Sequence, residues 1–266
     1  MGRRFDPDGA YTKILFVRGE DFVFRRNVFT VFWVLIFTME LSFSGKHILV
    51  VGASGAFGCE FADQLMALGA KVSGTASSAE SSVKLRADLH QRLILNLESP
   101  ESISNFVAYL ANQELDGIVL ASGLVAFGAL TDTPTAVLNR LMQVNALGQI
   151  QLVSGLIPSL SRSSQSPFVL SISGVISEQP MAGLAAYSAS KTALAGYSKA
   201  AAKELRKAGI TWIDARPGHT ESGLAGRAIF GTAPNFGTGM TVQQVVARMV
   251  AGIQNGESDL PSDSFK

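Results

Sequence analysis

The feature that most constrains the fold of this chain is a short apolar segment, residues 47–51, that leads directly into a glycine-rich turn, residues 52–58. A continuous apolar run of this length is typical of a strand buried on both faces of a parallel sheet. After the turn, apolar residues recur at helical spacing until Gly69, where a glycine is expected to end a helix. Residues 47–69 therefore predict a strand–turn–helix unit.

The same alternation of strand and helix repeats along the chain. Further strands are predicted near residues 71–76, 92–95, 117–121, 168–173 and 211–215. Helices are predicted after the capping segment Ser99-Pro100-Glu101 and over about 135–161 and 184–208. This order predicts an α/β fold, a doubly wound parallel sheet in three α/β/α layers, with the ligand crevice at the carboxyl ends of the strands. We expect residues 39–266 to form one such domain, without a recognisable final strand near its end.

Composition narrows the class of partner. The chain has 22 Lys and Arg against 21 Asp and Glu, so it carries no electrostatic footprint for nucleic acid, and a small-molecule partner is expected. Cys59 is the single cysteine, which rules out an intrachain disulfide and a thiolate zinc cluster and favours a reducing cytoplasm. The histidines lie far apart without metal-ligand spacing, so no metal site is predicted.

Residues 1–38 differ from the rest because arginine pairs precede an apolar run over residues 28–39. The run is shorter than the roughly 20 apolar residues of a spanning helix, and Glu40 closes it without a cleavage-like site. Three interpretations stay open: an extension upstream of a natural start at Met39, a membrane-surface or signal-anchor segment, or an extra packed element. Membrane contact is expected only if this segment is part of the natural protein.

The turn at residues 52–58 has the context that a dinucleotide-binding turn requires, between a strand and a helix. Glycines there let the backbone approach a pyrophosphate, whose charge is then held by amides at the helix N-terminus. Plain tight packing of strand against helix is the alternative explanation for the same glycines.

A second candidate site is Tyr187 with Lys191, four residues apart and so on one face of a predicted helix. A phenol titrates near 10 and is a poor base at neutral pH, so a neighbouring cation is needed to favour its phenolate. An amphipathic helix surface is the alternative for a lone pair of this kind.

The segment around this pair, residues 186–194 (Ala-Tyr-Ser-Ala-Ser-Lys-Thr-Ala-Leu), is similar to the YSASKAAL signature of the short-chain dehydrogenase/reductase family. The glycine turn resembles that family's TGxxxGxG turn, with Val51 and Ala56 as departures. The resemblance covers residues 41–213 strongly and continues through Ser222. It implies a Rossmann fold and an NAD(P)-dependent oxidoreductase that acts on a carbonyl or alcohol, with Tyr187 transferring the proton.

The resemblance also implies the other site residues. Lys191 would lower the tyrosine pKa and bind ribose, and Asn145 would help to hold a proton-relay water beside the lysine. The turn over residues 216–222 resembles the family's PGxxxT turn, which holds the nicotinamide carboxamide. The cofactor-binding residues implied in this way are Gly52, Ser54, Gly55, Phe57, Gly58, Ser77, Asn96, Leu97, Ser122, Gly123, Tyr187, Lys191, Pro217, Gly218, Thr220 and Ser222.

NADP is favoured over NAD, because no acidic residue follows the second strand where an NAD-binding protein would place one. The hydroxyls of Ser77 and Ser78 can donate to a 2′-phosphate instead. Lys84 and Arg86 are the candidate basic partners, since Gly55 stands where many NADP-dependent relatives carry a basic residue.

The pattern breaks at Gly174, where the family has its catalytic serine. Ser173 is the nearest substitute, but neighbouring strand residues point to opposite faces, so replacement requires a local bulge or twist. A second departure is residues 120–123 (Leu-Ala-Ser-Gly) in place of NNAG. These departures leave open an alternative function, a nucleotide-binding protein that senses or scaffolds without turnover.

The apolar, glycine-containing stretch over residues 223–239 lies where the family places its mobile substrate lid. It predicts an apolar substrate, with an ordinary surface loop as the alternative. A homo-oligomer is compatible with the sequence.

Overall fold

The computed structural model describes residues 41–266, so the expectations for residues 1–38 and for a start at Met39 fall outside the described residues. Seven parallel strands form one sheet. They are β1 His47–Val51, β2 Lys71–Ala76, β3 Gln91–Ile94, β4 Gly117–Leu120, β5 Phe168–Ile172, β6 Thr211–Ala215 and β7 Asp259–Leu260.

Helices connect consecutive strands and cover both faces of the sheet. They are α1 Ala56–Ala67, the short α2 Ala79–Ser82, α3 Pro100–Leu110, α4 Thr135–Met142, α5 Gly148–Leu160, α6 Ala185–Leu205 and α7 Val242–Gln254. A π-helical turn, Gln143–Leu147, joins α4 to α5. Ser99 caps α3 by accepting from the amide of Ser102, with Pro100 in the first turn, as its sequence predicts.

The strand order β3-β2-β1-β4-β5-β6-β7 confirms the predicted doubly wound sheet. The chain moves outward from β1 in one direction through β3, then returns to pair β4 with β1 on the other side. This reversal separates the loops after β1 and β4 and opens a crevice at the carboxyl edge of the sheet.

The core lies in two layers, one on each side of the sheet, and strand alternation divides β1 between them. Ile48 and Val50 pack in the layer beneath α1 and α7, whereas Leu49 and Val51 pack in the layer beneath α3, α5 and α6. Because both faces of the sheet are covered at β1, the sequence of this strand is a continuous apolar run.

Two expectations about elements need correction. The prediction of no final strand was wrong, since β7 pairs with β6 in parallel through two residues. Its apolar signal is only Leu260, which explains why it escaped sequence reasoning. The single helix predicted over 135–161 is divided by the π-turn at Gln143–Leu147, a feature often found at functional sites.

Within residues 41–266, no helix combines the length and apolar character needed to cross a bilayer. The same residues contain no cluster of His, Cys, Asp and Glu side chains that is suited to a metal ion.

Candidate active site

A cavity of about 770 Å³ opens at the carboxyl edge of the sheet. It is lined by residues that follow six of the strands, β1 to β6. The sequence-predicted site residues that line it are Gly52, Ser54, Gly55, Phe57, Ser77, Asn96, Leu97, Ser122, Gly123, Ser173, Tyr187, Lys191, Pro217, Gly218, Thr220 and Ser222. Gly58 and Asn145 lie behind this surface and shape it through their neighbours.

The glycine turn is packed so closely that side chains do not fit at two positions. A Cβ on Gly58 would lie 2.2 Å from the carbonyl oxygen of Gly52, and one on Gly52 would lie 2.5 Å from Ser122 Oγ. Gly52 also has φ of +86°, a conformation that favours glycine. The turn therefore brings the N-terminus of α1, with its unpaired amides, to the cavity surface.

The loop after β2 contributes hydroxyl groups to the cavity. Thr75 Oγ1 accepts a hydrogen bond from the Gly52 amide at 3.0 Å, which ties this strand to the glycine turn. Ser78 caps α2 by accepting from the Ser81 amide, and Ser77 faces the cavity. Thr75 was not predicted as a site residue. Its position one residue before the end of β2 could have indicated it.

The prediction that Arg86 is a basic partner of a 2′-phosphate needs correction. Its guanidinium forms ion pairs with the carboxylates of Asp63 and, at 2.7 Å, of Asp88. These two carboxylates already compensate its positive charge. Arg140, which does line the cavity, reaches across from α4 to pair with Glu98 at 2.7 Å.

Tyr187 and Lys191 lie on the face of α6 that lines the cavity. Lys191 is 6% exposed, and its Nζ donates to the carbonyl oxygen of Ile172, the last residue of β5, at 2.7 Å. Burial lowers the pKa of Lys191 to about 8, opposed by attraction to the Asp214 carboxylate. Burial raises the pKa of Tyr187 to about 12, so its phenol is protonated at neutral pH.

Asn145 sits in the π-turn, is fully buried, and uses its amide group to hold two neighbouring segments. Its Oδ1 accepts from the Leu124 amide at 2.8 Å, and its Nδ2 donates to the Leu124 carbonyl at 2.9 Å. The same Nδ2 lies 3.0 Å from Ser190 Oγ, beside Lys191 in the chain. A Cβ on Gly123 would lie 3.4 Å from Asn145 Oδ1 and 3.5 Å from Lys191 Nζ, so the asparagine and the lysine converge on this glycine.

Gly174 follows β5 with φ of +74° and ψ of 163°, a region of backbone conformation that is essentially restricted to glycine. Space is not the obstacle, because a Cβ would meet only the Pro217 carbonyl oxygen, at 3.7 Å. The absence of a serine at this position therefore goes together with a backbone conformation that favours glycine.

Ser173, the predicted substitute for the missing serine, lines the cavity, and its hydroxyl is hydrogen-bonded within the sheet. The residue is fully buried, and its Oγ donates to Asp214 at 2.6 Å. The amides of Ser173 and Gly174 both donate to the carbonyl oxygen of Ala215, at 3.0 and 3.1 Å, so the regular pairing of β5 with β6 ends at this point.

Asp214 and Arg216 form a buried network beside β5 that the sequence analysis missed. Arg216 is 3% exposed and pairs with Asp214 at 3.0 Å, with Asp259 at 2.7 Å and with Glu178. The available signal was two charged residues within the otherwise apolar β6 and its end.

The remaining wall of the cavity is apolar and adjoins Tyr187. Buried side chains on this wall are Val125, Phe127, Ile176 and Leu184, with Leu224 and Phe236 packed against them. None of the four buried residues was predicted as a site residue; the available signal for Val125 and Phe127 was their apolar character in the loop after the fourth strand.

The stretch 223–239, expected to form a substrate lid, is held to this wall by backbone hydrogen bonds. The Ile229 amide donates to Val125 and the Phe127 amide donates to Phe230, both at 2.9 Å. In the preceding turn, His219 packs against Phe236 with ring centroids 5.1 Å apart.

The strand order, the crevice and the glycine turn define a nucleotide-binding α/β protein. Residues 46–229 match the family described as short chain dehydrogenase. The chain is 30% identical to the 3-oxoacyl-(acyl-carrier-protein) reductase of Salmonella typhimurium over 189 residues, which cover 69% of this chain and 77% of the relative.

Solved structures agree with the fold. A short chain dehydrogenase from Burkholderia cenocepacia in complex with NADP has a TM-score of 0.71 at 18% identity, over 83% of this chain and 89% of that one. A 3-ketoacyl-(acyl-carrier-protein) reductase from Brucella melitensis complexed with NADH has a TM-score of 0.74 at 20% identity, over 83% and 97%. The chain belongs to the short chain dehydrogenase family of oxidoreductases.

Proposed function

We propose that the protein is a reductase that uses NADPH, with NADH as the weaker alternative, to convert the carbonyl group of a small apolar substrate into an alcohol. The observation that carries the proposal is that Tyr187, Lys191 and the glycine turn line the same cavity. The reverse oxidation of the alcohol uses the same groups.

The residues present fit a dinucleotide. The turn around Gly52 and Gly58 leaves no room for side chains, so a pyrophosphate can approach the backbone and the N-terminus of α1. Ser77 stands at the end of β2 without a carboxylate beside it that would repel a 2′-phosphate. Asn96, Leu97 and the segment from Pro217 to Ser222 also line the cavity; the first two would hold the adenosine of the cofactor, and the segment would hold its nicotinamide. The bound nicotinamide supplies the hydride.

Tyr187 acts as the acid. Because burial raises its pKa to about 12, the phenol holds its proton at neutral pH and can donate it to a carbonyl oxygen placed at its hydroxyl. Lys191, with a pKa of about 8, is mostly charged at pH 7, and its ammonium favours the phenolate that forms as the proton leaves.

Asn145 supports this pair from behind. Its amide holds the backbone of Leu124 and the hydroxyl of Ser190, and both lie next to cavity residues. We assign it the role of keeping the α6 face and the loop after β4 in register, which leaves a relay water beside Lys191 a defined place to bind.

Gly174 leaves Tyr187 without the second hydroxyl donor that the family places beside it. Losing one donor to a developing oxyanion costs about 100- to 1000-fold in rate, which slows reduction without abolishing it. The expected enzyme is therefore slow and depends strongly on its tyrosine.

The apolar wall indicates the substrate class. Phe127, Ile176 and Leu184 are each about 95% buried, and Tyr187 packs against the cluster that they form, so an alkyl or aryl group next to the carbonyl is favoured over a charged one.

The test is NADPH oxidation by the purified full-length chain against a panel of aliphatic, aryl and carboxylate-bearing ketones and aldehydes. Turnover of apolar carbonyl compounds, with NADPH preferred over NADH, is expected. Tight NADPH binding with no turnover of any compound would overturn the reductase and leave a nucleotide-binding protein that senses or scaffolds.

A further inference from the structure

We propose that Asp214, a buried carboxylate on β6, is a positioning residue that fixes the carbonyl of Ile172 to which Lys191 is anchored and holds the lysine in its charged form. The proposal rests on the assignment of Lys191 to the proton-transfer site. It concerns a residue outside the cavity that contacts neither the substrate nor the cofactor.

The geometry begins with the pairing of β5 and β6. Ser171 lies directly opposite Asp214 in the register, and Ser173 lies on the same face of β5, two residues further on. Ser171 Oγ donates to Asp214 Oδ1 at 2.7 Å, and Ser173 Oγ donates to Oδ2 at 2.6 Å. The two oxygens of one carboxylate thus hold the residues on either side of Ile172.

Ile172 is the residue whose carbonyl accepts from Lys191 at 2.7 Å. Because both of its neighbours are fixed to Asp214, its peptide group has little freedom to rotate away from the lysine. Trp212 completes the arrangement, since its Nε1 donates to Ser171 Oγ at 3.0 Å. The anchor of Lys191 is therefore set by a carboxylate on the neighbouring strand.

The charges around Asp214 support an electrostatic part of the same role. Asp214 is 3% exposed, and the charged groups that face it are Arg216 on its own strand and Lys191 on α6. Arg216 also pairs with Asp259 of β7 and with Glu178 after β5. The attraction of Asp214 for Lys191 raises the lysine pKa against the effect of burial.

This network also gives Ser173 a function. Its hydroxyl is committed to Asp214, so the serine acts on the proton-transfer pair from the interior of the sheet. A serine that turned toward a substrate would give up its hydrogen bond to Asp214 Oδ2 and leave Arg216 as the partner of that oxygen.

The test compares Asp214→Asn with Asp259→Asn, which removes another carboxylate of the same arginine network. Two readouts are used on the full chain: the NMR titration of Lys191 labelled with ¹³C at Cε, assigned with Lys191→Met, and the pH profile of kcat/KM for reduction. In Asp214→Asn the lysine pKa and the alkaline limb are expected to fall by about one pH unit, with KM for NADPH within about threefold of wild type. Asp259→Asn is expected to leave both readouts at the wild-type values.

If Asp214→Asn does not fold, the double variant Asp214→Asn with Arg216→Gln replaces it, because it removes the carboxylate together with its guanidinium partner. A folded variant whose Lys191 titrates as in the wild type would show that the network is only structural. The NMR readout needs no turnover, so an inactive wild type would contradict the reductase without deciding the role of Asp214.

Discussion

The two halves of the cavity are built in different ways. On the cofactor side, β1 and β2 meet through backbone: Gly52 and Gly58 allow close approach, and one amide of the turn donates to Thr75. On the catalytic side, β5 and β6 meet through buried charge, with Lys191, Asp214 and Arg216 each less than 10% exposed. In the first half the hydrogen bond between Gly52 and Thr75 spans 23 residues, and in the second the hydrogen bonds of Ser171 and Ser173 to Asp214 span 43 and 41 residues. The catalytic side is thus more sensitive to single polar substitutions.

The largest effect is expected from Tyr187→Phe, which removes the acid from the catalytic side. Reduction should fall by about 10²- to 10⁴-fold because the carbonyl oxygen loses its proton donor, while the Kd for NADPH changes little. Steady-state kinetics and a fluorescence titration with NADPH measure the two quantities.

Tyr197→Phe is the matched control, since Tyr197 lies on the same helix but packs against Trp212 and hydrogen-bonds with Ser154. Equal activity of Tyr187→Phe and wild type would remove Tyr187 from the mechanism.

Ser77→Asp changes the charge on the cofactor side. A carboxylate at the end of β2 repels a 2′-phosphate and accepts from a ribose hydroxyl, so the NADPH/NADH ratio of kcat/KM should fall by about 10- to 100-fold. Ser104→Asp, on the exposed face of α3, adds the same charge away from the cavity and should leave the ratio unchanged. An unchanged ratio in Ser77→Asp would show that the 2′-position of the cofactor ribose does not bind beside Ser77.

Gly58→Ala tests the close backbone packing of the glycine turn. Its Cβ would lie 2.2 Å from a backbone oxygen, so α1 must shift, with a destabilisation of about 1–3 kcal/mol and weaker NADPH binding. Gly55→Ala is matched to it, because that Cβ meets only the Gly52 oxygen at 3.4 Å. Thermal unfolding distinguishes the two variants, and equal stability of both would contradict the packing described.

Gly174→Ser has the smallest expected effect and tests why the serine is absent. The backbone conformation at this glycine makes a side chain cost about 1–3 kcal/mol, which thermal unfolding detects. Gly196→Ser, in α6 with no atom within 4 Å of its Cβ, should not show this loss. A Gly174→Ser protein as stable as the wild type would mean that the backbone relaxes readily.

The sequence predicted the sheet because its strands are continuous apolar runs separated by helical patterns, and it failed at β7, which has only one buried apolar residue. Most of the site residues that it named line the cavity, since many of them follow the strand ends. The hydrogen bond of Ser173 to Asp214 could be identified only from the structure, because the two residues are 41 positions apart in the chain and strand pairing alone brings them together. For the same reason, the sequence alone favours Arg86 as a partner of the 2′-phosphate, because only the structure shows that it pairs with Asp63 and Asp88.

The most direct test of the reductase is to follow deuterium from NADPH labelled on the transferring face of C4 into the product formed from an apolar ketone. The proposed function predicts one deuterium at the carbinol carbon, seen by mass spectrometry with the wild type and strongly reduced with Tyr187→Phe. NADPH that binds but transfers no deuterium to any carbonyl compound of the panel would contradict it.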